Sequence, residues 1–201
     1  MARPKNQTAR RAELVAAARK AIVLHGLSAV RIRDVADTAG MAPGSVTYYF
    51  RELDELFQEV FTDAVERFSS LRRAAVQDLE EPRDRLVATI RAGLPTGPDD
   101  ELCCLLYEFA PQARKNTRDA ALRRTLYDDQ VDLYCELLSN GEADDAFQLA
   151  APAREIASNL VALEDAYGYH IIAGTSVTRA TAEQYLIGYA ATATGARLRT
   201  N

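Results

Sequence analysis

Apolar residues recur along this chain at helical spacing, and the alternation of a half-buried strand is almost absent. The pattern predicts nine helices. Thr8 can cap a first helix running to about Leu24, with Leu14, Val15, Ala18, Ala21 and Ile22 inward and Gly26 ending it. A short second helix carries Val35, Ala36 and Ala39, and a third carries Val46 and Phe50. The clearest periodicity lies in the fourth, where Leu56, Phe57, Val60, Phe61, Ala64, Val65, Phe68 and Leu71 form one stripe. Pro82 opens a fifth helix, and Gly93 to Pro98 reads as a loop. Asp99 or Asp100 then caps a sixth helix, apolar on nearly every side and therefore expected to be buried. The seventh runs from about Thr117 to Ser139 and stops at Asn140-Gly141. After an acidic loop, Pro152 opens the eighth and Thr178 the ninth.

The segment from Val30 to Phe50 is the most specific stretch. Gly40 can take positive φ and turn the chain between two short helices, and Pro43 suits a first helical position. With Val46 and Phe50 buried, Pro43, Gly44, Ser45, Thr47, Tyr48 and Tyr49 face mainly outward. Such small, hydroxyl-bearing and aromatic residues suit a helix in the DNA major groove, where bulk is limited and phosphates need donors.

The fixed positions Gly26, Asp34-Val35-Ala36, Ala39-Gly40-Met41, Gly44, Tyr48-Tyr49-Phe50, Leu53 and Leu56 resemble the helix-turn-helix of TetR-family transcriptional regulators over Leu14 to about Phe57. Pattern-level similarity to the BetI-like regulatory half continues to about Tyr189. Four positions depart from the family. Arg31 and Ala42 stand where capping Ser or Thr is frequent, and a lost cap costs on the order of 1 kcal/mol. Thr47 replaces a frequent Tyr, and Leu53 a Lys that commonly meets a phosphate, with Arg51 as the nearest substitute.

Charge is unevenly divided. Residues 1–50 hold eight basic and three acidic residues, so the remainder carries net −10 in a chain of net −5. A basic head on an acidic body fits a DNA reader, with Arg10, Arg11, Arg19 and Lys20 drawing phosphates to the N-terminal arm. The start is basic and polar, without the apolar core of a secretory signal, and charges interrupt every apolar run. A cytoplasmic protein is expected. Cys103, Cys104 and Cys135 lack metal-ligand spacing and read as reduced core thiols, the adjacent pair being an alternative oxidant sensor. His25 and His170 sit in no triad-like or metal-binding spacing, so neither an enzyme nor a metal or other cofactor is expected.

The last two helices carry apolar residues on more than one side, which a twofold four-helix bundle with a second copy would satisfy. Leu160, Tyr167, Ile171, Tyr185 and Tyr189 are the expected interface, and the resemblance implies the same mode of dimerisation. Closing the chain's own core is the alternative use of these faces. Polar or adaptable residues on apolar helices mark a ligand pocket: Phe61, Cys104, Tyr107, Glu108, Tyr127, Tyr134 and Asp165. Glu108 could instead pair with Arg114, and Asp165 could be structural.

The expectation is an all-α chain, with a three-helix DNA-binding domain at 1–52 and a six-helix ligand-binding and dimerisation domain at 53–201. Arg3, Lys5, Arg33, Pro43, Gly44, Ser45, Thr47, Tyr48, Tyr49 and Arg51 are the expected DNA contacts. A homodimer on a palindromic operator, released by a small molecule, is the functional expectation. A helical small-molecule-binding protein that has lost DNA readout is the alternative.

Overall fold

The computed structural model describes residues 3–114 and 116–198, with side chains described from residue 7. Among the described residues there are nine α-helices, a 3₁₀ helix at Ala110–Arg114 and no strand. The helices are α1 (Arg3–His25), α2 (Ile32–Ala39), α3 (Pro43–Tyr49), α4 (Leu53–Ala74) and α5 (Pro82–Gly93). Then come α6 (Glu101–Phe109), α7 (Thr117–Ala143), α8 (Ala153–Ile172) and α9 (Arg179–Thr194). They form two compact units, one built from residues up to 66 together with 104–122, the other from 67–103 and 123 onwards.

In the first unit α1 packs on α2 and α3, and α2 on α3. Leu14, Ala18, Ile22, Val35, Ala36, Val46, Phe50, Leu56 and Phe61 are buried, together with Leu105 and Phe109. Phe61 stacks on Phe109 with ring centroids 4.8 Å apart, and Phe57 meets the same ring edge-on at 6.5 Å.

In the second unit α9 packs on α8 and α5, and α5 on α8. Leu86, Ile90, Val131, Leu138, Ile156, Leu160, Leu186 and Ala190 share its core. The chain after α7 is pinned to the end of α9, since the N–H groups of Gln148 and Ala150 donate to Thr194 and Ala193 carbonyls. Asp100 is the residue that caps α6, accepting from the Cys103 N–H at 3.0 Å and from Thr96 through its N–H and hydroxyl.

Three local expectations change. Helix α1 starts at Arg3, so Thr8 lies inside it instead of capping it. Leu71 is exposed, because the buried stripe of α4 passes from Phe68 to Arg72. Helix α7 runs through Asn140-Gly141 to Ala143. Gly141 is helical and buried because the Phe147 ring lies against it, where a Cβ would collide.

Candidate nucleic-acid interface

Gly40 closes α2 at φ 64°, the left-handed conformation that Gly adopts without a Cβ penalty. Its N–H and that of Met41 donate to the Asp37 and Ala36 carbonyls, which reverses the chain within a few residues. Arg31 has no side-chain acceptor with which to cap α2. The Asp34 carboxylate instead takes the Arg31 N–H at 2.7 Å, while the guanidinium donates to the Ser28 and Val30 carbonyls. Helix α3 begins on Pro43 with no side-chain cap from Ala42. Burial of Val46 and Phe50 holds it in place.

That burial decides the rotation of α3. Pro43, Gly44, Thr47 and Tyr48 are exposed, and Ser45 and Tyr49 half-buried. Tyr48 is 68% exposed, steadied by an edge-on contact with Tyr49 at 5.0 Å. The Thr47 hydroxyl donates to the Gly44 carbonyl at 3.1 Å, so it meets a partner as an acceptor unless that bond opens. Two exposed cations flank the helix in sequence: Arg33 on α2, its side chain 79% exposed, and Arg51 just after α3. The side chains of Arg3 and Lys5 lie outside the described residues.

Three of the four cations expected to attract phosphate have partners within the unit. Arg11 donates to the Tyr49 carbonyl at 2.6 Å, to Glu55 at 3.1 Å and to Glu59, and its guanidinium sits 4.1 Å over the Phe50 ring. It is a clamp from α1 onto the end of α3 and the start of α4. Arg19 bonds Asp63 at 3.1 Å and Arg10 pairs with Glu13 one turn away, whereas Lys20 is exposed.

Residues 14–60 match the family model described as bacterial regulatory proteins, tetR family. The HTH-type transcriptional repressor KstR2 of Mycolicibacterium smegmatis is 22% identical over 145 residues, 72% of this chain and 71% of that protein. Two solved structures share the fold. A candidate transcriptional regulator from Saccharomonospora viridis in complex with choline has a TM-score of 0.84 at 22% identity, covering 90% of this chain and 95% of its own. A TetR transcription regulator from Haloarcula marismortui has a TM-score of 0.83 at 20% identity, with 93% and 99% covered. The tetR-family match thus covers residues 14–60, the helix-turn-helix with the helices that flank it.

Of the residues expected to line a tetR-family effector pocket, four fall in the first unit. Phe61 is buried on Phe109, and Cys104 and Tyr107 are half-buried. Glu108 lies at the surface, where its carboxylate accepts the Leu27 N–H at 2.9 Å; this, and not Arg114, is its observed partner. In the second unit Tyr127 is exposed, and Asp165 faces Arg123 at 3.5 Å with its pKa raised by burial.

Tyr134 is fully buried and belongs to a network whose other members the sequence reading missed. It donates to Glu164, which also receives both terminal nitrogens of Arg72. Arg72 further donates to Gln130 at 2.6 Å and to the Thr89 carbonyl at 3.3 Å. Gly93 makes room for the carboxylate, since a Cβ there would collide with Glu164. The available signal was Glu164's place on the stripe of Ala157, Leu160, Val161, Gly168 and Ile171, all of them buried. Asp165, the carboxylate expected at the pocket, lies one residue further round the helix and is only partly buried.

Among the expected interface residues, Leu160 and Ile171 are buried in the chain's own core, which corrects their place on an outward face. Ala157, Val161 and Gly168 are likewise buried within the chain. Tyr167 and Tyr189 are half-buried. Tyr185 is 54% exposed and packs against Tyr167 with ring centroids 5.9 Å apart. Of the five expected interface residues, the three tyrosines are therefore the ones that reach the surface.

Proposed function

We propose that this tetR-family transcriptional regulator is a repressor that binds a palindromic operator as a homodimer and leaves it when a small molecule binds. The exposed, uncharged face of α3, flanked in sequence by Arg33 and Arg51, carries the reading. Such a face enters a groove without bulk, while the flanking cations and Tyr48 meet phosphates. Two copies bring two α3 helices to successive major grooves about 34–36 Å apart. A domain of residues 1–52 reads DNA, and residues 53–201 carry the dimer contact and the effector among α4 to α8. The outward tyrosines of α8 and α9 supply that dimer contact.

The KstR2 repressor supports the sign of regulation, and the choline complex of the Saccharomonospora protein supports a small-molecule effector. The effector must bind the two spacings of the heads unequally, because one indifferent to both would switch nothing. No helix of the described residues is long and apolar enough to cross a membrane.

The test is selection of duplexes from a random pool by the purified protein near physiological salt. A palindrome with half-sites about one helical turn apart is the expected product. No enrichment from a folded dimer, with or without added metabolite extract, would replace this reading with a small-molecule-binding protein that no longer reads DNA.

A further inference from the structure

The first unit contains a cavity of about 390 Å³ that includes none of the effector residues expected from the sequence. It opens beneath the α1–α2 turn. Leu27, Val30, Phe57 and Phe109 give it apolar walls, and Asp54, Gln58 and Asp119 bring acceptors to it.

The polar side of this cavity is unbalanced. Asp119 is only 5% exposed, and its described hydrogen bond to a side chain comes from the Gln58 Nε2 at 3.1 Å. That bond fixes the orientation of the amide, because an ionised carboxylate can only accept. Gln58 Oε1 is thereby left buried without a partner. A buried acceptor without a donor costs about 1–3 kcal/mol. Arg31, the cation on the lining, already donates to the Ser28 and Val30 carbonyls. Burial, followed by the nearby Asp54 charge, raises the Asp119 pKa, and the Arg118 charge and the Gln58 amide offset only part of that rise.

The geometry points to a binding site for a small organic cation with N–H donors, a primary ammonium or amidinium on an apolar body. The donors meet the Asp119 carboxylate and the orphan Gln58 Oε1, and Asp54 adds a second negative charge. The apolar body lies against Phe57, Phe109 and Leu27. An occupant would touch the α1–α2 turn and the first turns of α4, the supports of the helix-turn-helix. The site does not depend on DNA binding, so its test uses none.

The experiment is calorimetric titration of the full-length protein with 2-phenylethylamine, with phenylacetate and 2-phenylethanol as anionic and neutral matches of similar shape. The amine should bind and the two matches should not. Asp119→Asn and Gln58→Leu should each weaken the amine at least about tenfold, or 1.4 kcal/mol. Asp54→Asn, an exposed substitution that leaves the fold intact, should weaken it several-fold. The proposal is overturned if the amine fails to bind at about 10 mM. It is equally overturned if 2-phenylethanol binds as well as the amine, or if Asp54→Asn and Asp119→Asn proteins with native circular dichroism bind like the parent.

Discussion

Arg72 and Glu164 face each other through two parallel hydrogen bonds, at 2.8 and 3.0 Å, with side chains 1% and 2% exposed. One comes from α4 and the other from α8, 92 positions apart in the chain. Tyr134 and Gln130 complete the contacts from α7. Burial pushes the Tyr134 phenol well up, which keeps its proton in place as a donor to Glu164.

Removing one partner strands the other charge in the core. Arg72→Met and Glu164→Leu should each destabilise by about 3–5 kcal/mol, as expected for breaking a buried pair. The double substitution should recover most of that loss, because apolar replacement of both partners is often neutral. Urea unfolding of the four proteins reads the cycle. A double variant as unstable as the singles would show that this pair is not the unit of stability.

The Arg11 clamp predicts a loss confined to the head. Arg11→Ala should cost about 1–3 kcal/mol, the range for charge-assisted hydrogen bonds of which part are solvent-exposed. Amide exchange in α3 should quicken while α8 and α9 keep their protection. Arg11→Lys should rescue little, because one ammonium cannot reach the Tyr49 carbonyl, Glu55 and Glu59 in the same fork.

These two networks mark the boundary of what the chain showed before folding. The head was legible because its signals are local: Gly40 demands a turn, Pro43 a helix start, and Val46 with Phe50 one buried side. Arg11 was misjudged because Glu55 and Glu59 stand 44 and 48 positions away, so a structural cation looked like a phosphate-binding one. Glu164 and Arg72 escaped for the same reason. Thr8 has a capping side chain, yet the helical pattern before it prevailed. The cavity near Gln58 was illegible because its walls come from the α1–α2 turn, α4, α6, the 3₁₀ helix and the start of α7, which only meet in three dimensions.

Two aspartates should set opposite pH dependences. Burial works against the Asp100 charge, but the N–H groups of Thr96 and Cys103 outweigh it and hold the pKa below the ordinary 3.8. Its stabilisation is therefore present above that value and lost as pH falls through the depressed one. Asp119 is raised, chiefly by burial, so the folded state holds its proton more tightly than the unfolded one. Stability then declines as pH climbs from 3.8 through the raised value. Asp100→Ala should cost about 1 kcal/mol at neutral pH as a lost cap. Asp119→Asn should gain stability at neutral pH, with the gain vanishing below the ordinary aspartate range. Urea midpoints between acid and neutral pH check both signs.

Arg33→Ala and Tyr48→Ala should together lower affinity for the selected operator by more than tenfold, or about 1.4 kcal/mol. Arg33→Ala alone should weaken all sequences alike and reduce the salt slope by about one. Leu53→Lys should act oppositely, adding one phosphate contact at the start of α4. Fluorescence anisotropy over a salt series measures these effects. Unchanged affinity in the double variant would move the reading head away from α3.

Glycine exchanges separate internal packing from the proposed dimer contact. A Cβ at Gly141 would strike the buried Phe147 ring, so Gly141→Ala should destabilise by about 1–3 kcal/mol through overpacking. Gly188 lies in the interior of α9, exposed, with nothing within 4 Å of an added Cβ in its own chain. Gly188→Ala should therefore stabilise the isolated chain by about 0.5–1 kcal/mol, the helix penalty of glycine. If the outward face of α9 meets a second copy, the bulkier Gly188→Leu should keep the chain folded yet raise the dimer dissociation constant. Sedimentation equilibrium beside thermal unfolding separates the two effects. A dimer indifferent to Gly188→Leu would exclude this part of α9 from the interface.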